Sequence, residues 1–250
     1  MSKSVDNRHF LIVAAILNLA TFLVELYSSL LMGLGLCVDL THNYDMDAGS
    51  GYRMFAWFTI DSNVLLGLTS LIMFFVTIYS LINLDNKLPR WACITKLCGA
   101  LPAFLTFFVT LFYLLPSDLV NKSNPAALYQ NANLFYHLIG PLLGVLAFFF
   151  EKGERLHKFD FVYFYIPTLL YAFWYGFGNL FNWGIFGETI IDQHGNPHSM
   201  HDFYSFFKGN NKYFMPLLVL LASLGFCYLT YIIFNKYNGY KKVTNNAKAK

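Results

Sequence analysis

Two residues in this sequence, a threonine and a histidine, have the chemistry for a nucleophile and its base. Thr59 stands four positions before Asn63, and Asn133 four before His137, so each pair shares one face of a helix. A threonine hydroxyl attacks only when a neighbouring base takes its proton, and histidine is the usual base near neutral pH. His137 falls in the first turns of its helix, where the positive end of the dipole and partial burial both favour a neutral, proton-accepting ring. Ser62, Asn63 or Asn133 supplies hydrogen-bond donors of the kind that stabilise an oxyanion. Asp61, one residue off the Thr59 face, is an orienting group at most. Phe58, Phe135, Trp174 and Tyr175 are candidate walls for a substrate. The plainer alternative is that the threonine bonds its own i−4 carbonyl and the histidine bonds across helices.

The elements that must position these residues are membrane helices. Of 250 residues, 56% are hydrophobic and 12% charged, against about 25% charged in soluble domains. With 27 Phe and 17 Tyr, the chain carries more apolar area than one small core can hide. This excludes a disordered chain, a nucleic-acid-binding module and a disulfide scaffold, and argues against a soluble enzyme. Six stretches meet or approach the roughly 20 apolar residues a membrane helix needs: Phe10–Leu36, Met54–Ile82, Leu97–Leu115, Asn133–Phe150, Phe161–Trp183 and Tyr213–Phe234. They are continuous rather than alternating, which speaks against barrel strands. The first is far longer than the apolar core of a secretory signal, so it reads as a retained helix. The expected fold is therefore all-α, a single six-helix transmembrane bundle over residues 1–236 with a Lys-rich tail over 237–250.

The 17 Lys and Arg divide unequally between the two sets of connecting segments. One set holds Lys3, Arg8, Lys87, Arg90, Lys96, Lys152, Arg155, Lys158 and the five lysines from Lys236 onward. The other holds only Arg53, Lys122, Lys208 and Lys212. Cytoplasmic loops are the basic ones, so both termini are expected in the cytoplasm of a cell (plasma) membrane protein. On that topology Thr59 and His137 lie at matching depths, about 9 and 10 Å below the outer surface at the helical rise.

Other features carry weaker signals. Cys37, Cys93, Cys98 and Cys227 show no CxxC spacing and read as buried thiols. Asn121-Lys122-Ser123 fits a glycosylation acceptor. His194, His198 and His201, near Glu188, Asp192 and Asp202, have the residue types of a metal site, but Gly195-Asn196-Pro197 interrupts them and no HExxH spacing occurs. A solvated loop is the expected reading, with Asn196-Pro197 opening a short helix, and no metal or cofactor is expected. Glu25, near the middle of the first span, raises a different function. With Asp61 and His137 it could form the relay of a proton-coupled transporter or channel.

Phe58-Thr59-Ile60-Asp61-Ser62-Asn63-Val64-Leu65 resembles the FTxxSNxL stretch of small bacterial membrane proteins similar to the androgen-induced gene and FAR-17a-like family. Asn133-Leu134-Phe135-Tyr136-His137-Leu138-Ile139-Gly140-Pro141-Leu142 resembles that family's fourth-helix histidine segment, and Tyr165-Ile166-Pro167 adds a third short match. The resemblance implies a membrane hydrolase of fatty acyl esters, with Thr59 as nucleophile, His137 as base and a lipid-like ester as substrate. The animal members carry Asn or Asp three residues after the threonine; here Ser62 occupies that place and Asn63 follows.

Overall fold

The computed structural model describes residues 7–34, 51–85, 87–116, 119, 129, 131–191, 197–199 and 214–240. They form a mostly helical bundle. In chain order the helices are α1 (Arg8–Gly33), α2 (Phe58–Ile82) and α3 (Arg90–Val109, running on into a wide π turn, Thr110–Leu114). Then come α4 (Asn131–Leu134, a second π turn at Phe135–Ile139, and Gly140–Phe150), α5 (Phe161–Phe181) and α6 (Phe214–Tyr237). Short 3-10 turns at Gly51–Ala56 and Gly184–Gly187 close one end.

Among the described residues, five helices are long and apolar enough to cross a membrane: Arg8–Gly33, Phe58–Ile82, Arg90–Leu114, Ala132–Phe150 and Leu217–Tyr237. Their outward faces carry bare apolar side chains such as Ile16, Phe75, Phe112 and Leu221. Such a surface is stable only against lipid or another apolar partner. The expectation of six such helices is met by five. Phe161–Phe181 has the length, but its tyrosines, glycines and Pro167 dilute its apolar content.

The packing centres on α3, half of whose spanning window is buried. It lies against α2, α4 and α5, while α1 packs on α2 and α4, and α6 docks on α5. Leu97, Leu101 and Phe104 of α3 meet Leu66 and Met73 of α2, Phe148 of α4, and Cys227 and Phe234 of α6 in one core. Small residues bring the rods together. A Cβ on Gly99 of α3 would fall 2.1 Å from Thr69 Oγ1.

The two ends differ. At one, which carries Lys87, Arg90 and Lys152, the loops are stitched by main-chain pairing. Gly153–Glu154 (β1) runs parallel to Gly239–Tyr240 (β4), and Leu88 bridges to Gly153 from the other side. The ion pairs Lys87–Glu154 and Arg90–Asp160 reinforce it. At the far end Thr189–Ile191 (β2) pairs antiparallel with Pro197–Ser199 (β3). Pro197 thus starts a strand rather than the expected helical turn.

One basic residue also moves. Lys96, expected in a connecting segment, is buried within α3, because the helix begins at Arg90 directly after Pro89. The acceptor triplet at Asn121, the Cys37 loop, most of the histidine-bearing loop and the tail from residue 241 lie outside the described residues.

Candidate functional site

Thr59 is the second residue of α2. Trp57, in extended conformation, precedes the helix, and no side chain caps it. The first N–H groups of a helix have no intrahelical acceptor. Among the described residues the Thr59 N–H has no hydrogen-bond acceptor, while those of Ile60 and Asp61 turn back to the Trp57 carbonyl. Thr59 therefore combines a half-buried hydroxyl with a backbone donor at the positive end of a 25-residue dipole.

Asn63, one turn deeper and fully buried, donates both of its amide hydrogens. One goes to the Thr59 carbonyl at 2.7 Å, the other to the Tyr136 carbonyl of α4 at 3.0 Å. Tyr136 is itself fully buried, and its hydroxyl donates to Ser29 Oγ of α1 at 3.3 Å. With Met54, Ile60 and Ala132 it forms an apolar plug where α1, α2 and α4 meet. The next residue is His137, buried at the centre of the π turn. Such wide turns are frequent at functional positions.

The hydroxyls continue towards α3. Ser62 Oγ donates to the Thr59 carbonyl at 2.9 Å and lies 3.1 Å from Thr106 Oγ1, which reaches the Pro102 carbonyl at 3.2 Å. One turn further along α3, Thr110 Oγ1 is buried without a hydrogen-bond partner. Thr59 and His137 thus belong to neighbouring segments joined through Asn63. Among the described residues no hydrogen bond links the two side chains directly.

The supporting residues divide. The amide hydrogens of Asn63 are committed to the Thr59 and Tyr136 carbonyls, and the Ser62 hydroxyl to the same Thr59 carbonyl, so neither offers a free donor for an oxyanion. The Thr59 N–H does. Asn133 is half-buried one turn before His137, and Asp61 is half-buried in the first turn of α2. Asp61 and Glu25 do not come together: Glu25 packs against Gly67, six residues and about 9 Å along α2 from Asp61.

The aromatic residues also separate into two groups. Phe58 packs at a tilt against Tyr171, 5.0 Å between ring centroids, and Trp174 and Tyr175 both close on Phe186. The Tyr171 hydroxyl donates to the Ala56 carbonyl at 2.6 Å, holding this cluster to the start of α2. Phe135 lies elsewhere, edge-on to Tyr27 of α1. An open cleft of about 670 Å³ lined by Tyr79, Lys87, Trp91 and Glu154 lies at the opposite, basic end, away from Thr59.

Sequence reasoning singled out Glu25 but missed the polar group around it. Lys96 of α3, Glu25 and Asn18 of α1, Ser70 of α2 and Glu151 beyond α4 are all buried inside the bundle. Burial pushes the Glu151 carboxyl above its ordinary range, against the charge of Lys96 and the hydrogen bond from Asn18. Pro89 was the available signal for Lys96, since proline commonly opens a helix. Among the described residues no three His, Cys, Asp or Glu gather as metal ligands. Compared with family models, curated proteins and solved structures, the chain shows no match.

Proposed function

We propose that the chain is an integral membrane hydrolase of lipid-type fatty acyl esters, related to the androgen-induced gene and FAR-17a-like family that its two motifs resemble. In this reading α5 is a sixth span, the basic end and both termini face the cytoplasm, and the Thr59 end lies just below the outer surface of the cell membrane. The single observation that carries the reading is the double hydrogen bond of Asn63. It ties the Thr59 turn of α2 to the residue before His137, which is what a nucleophile and base drawn from separate helices require.

His137 takes the Thr59 Oγ1 proton, directly or through one water. The freed oxygen attacks the ester carbonyl, and the negative oxygen so formed is held by the Thr59 N–H at the helix N-terminus. Collapse breaks the ester C–O bond, and His137 returns the proton to the departing alcohol. Water, deprotonated by the same imidazole, then releases the fatty acid from Thr59. An acyl chain entering between helices would meet the apolar plug of Ile60 and Tyr136 on one side and the Phe58–Tyr171 pair on the other.

Purified full-length protein is expected to react with a fluorophosphonate probe and to release fatty acid from aryl or branched fatty esters. Thr59→Ala should abolish both. His137→Ala should slow turnover by about 100-fold or more, the scale of a lost general base. Full activity in either variant removes that residue from the mechanism, and an unreactive wild-type protein overturns the reading.

A further inference from the structure

Three ionisable side chains at the heart of the bundle take no part in the chemistry above. Glu25, Lys96 and Glu151 are each only 1% exposed. Lys96 spends one of its three N–H donors on Ser70 Oγ, which in turn donates to the Leu66 carbonyl. Its charge acts on both carboxyls, yet among the described residues no ion pair within contact distance joins it to either. Glu151 accepts a hydrogen bond from Asn18 Nδ2 at 2.8 Å.

Glu25 is the odd member. Its Oε2 has a long contact from Ser28 Oγ at 3.4 Å, while Oε1 is buried with no hydrogen-bond partner. That bare oxygen fills the space beside Gly140, where an added Cβ would lie 1.6 Å from it and 3.1 Å from the Phe135 carbonyl oxygen. A carboxylate there would keep a buried charged oxygen without a donor, whereas a carboxylic acid is neutral and costs far less to bury.

The charge balance points the same way. Two carboxylates and one ammonium would leave a net negative charge in a water-poor interior, an arrangement that is costly unless neutralised. Among the described residues, the other titratable groups on elements packed against α1 are Tyr79 of α2, Tyr136 and His137 of α4 and Tyr52 of the Gly51–Ala56 turn, with Cys93 on α3 beyond them. From α2 only hydroxyls and Gly67 reach this level, with Asp61 further along. None of these supplies a second permanent positive charge.

We propose that Glu25, Lys96 and Glu151 form a proton-binding site, in which one exchangeable proton resides on the Glu25 carboxyl while Lys96 offsets Glu151. The ligand is the proton itself. A metal cation is disfavoured by the neighbouring ammonium. Because Gly140 directly follows the π turn that holds His137, a charge change at Glu25 falls against that turn. The inference does not rest on the hydrolase reading: the site would bind its proton whatever Thr59 does.

The test is infrared spectroscopy of the full chain in lipid nanodiscs at neutral pH, where an ordinary carboxylate shows no protonated-acid carbonyl stretch. The wild-type protein is expected to show that band, shifted on exchange into heavy water. Glu25→Gln, which preserves shape, should lose it, and Asp61→Asn should keep it. A wild-type spectrum without the band overturns the proposal. So does a band that survives Glu25→Gln, or one that is lost only in Asp61→Asn. Replacing choline by sodium should change nothing, and a sodium-dependent loss of the band would mean a cation site instead. If Glu25→Gln does not fold, the wild-type band and its sodium response still decide the matter.

Discussion

The two buried polar regions of this bundle are built on opposite principles. Around Asn63, neutral groups spend nearly every hydrogen on a carbonyl of a neighbouring turn, and the result is a fixed register between α2 and α4. Around Glu25 the groups are charged and share few hydrogen bonds. Each region leaves two buried oxygens unpartnered, Asn63 Oδ1 and Thr110 Oγ1 in the first and Glu25 Oε1 and Asn18 Oδ1 in the second. A neutral network adds rigidity through the hydrogen bonds it makes, whereas a charged one stays responsive to protons. The contrast separates what holds the helices in place from what is able to change state.

The contrast can be broken most sharply at Gly140. Gly140→Ala drives a methyl into the Glu25 carboxyl and should cost about 3 kcal/mol, the upper range for overpacking a core. Truncating the obstacle in Gly140→Ala/Glu25→Ala should recover most of it. Thermal unfolding in detergent reads both, and a harmless single variant would mean the carboxyl has room to turn away. Next comes Asn63→Ala, which unpairs the Tyr136 carbonyl and should cost about 1–2 kcal/mol. Here no second-site truncation should help, because the loss is of hydrogen bonds rather than space. An unchanged melting temperature would remove Asn63 as the tie between α2 and α4.

The smallest effect is expected at the basic end. Hydrogen bonds from Arg90 and the His157 N–H hold the Asp160 carboxyl below its ordinary range despite its burial, which opposes them. A lowered acid stabilises the fold above its unfolded value, near about 4, and the contribution fades as pH falls through the folded value. Asp160→Asn should therefore cost about 1 kcal/mol or less at neutral pH, and its deficit should vanish in acid. A deficit that grew on acidification would reverse the assignment.

The helical spans and the Thr59 and His137 faces were legible because both follow from periodicity. Four-residue spacing places Asn63 below Thr59 whatever surrounds them, and long apolar runs admit few other folds. Lys96 was not legible in the same way. A basic residue near the end of an apolar run counts as loop unless the helix start is fixed, and only Pro89 fixed it. The π turn at Phe135–Ile139 left no mark either, since one extra residue per turn is a matter of backbone strain and packing. Phe58 and Phe135 look equivalent as aromatic neighbours of the two motif residues, yet tertiary packing sends them to different partners.

The pairing of Gly153 with Gly239 has a consequence for biosynthesis. A Cβ at Gly153 would meet Cys93 Sγ at 2.3 Å, so the strand nests directly on α3, and its partner strand is synthesised only after α5 and α6. The five earlier helices can insert and assemble while that edge stands open. Closure of the basic end then waits for translation to pass Tyr240, so a nascent chain cut short before that point can never complete the clasp.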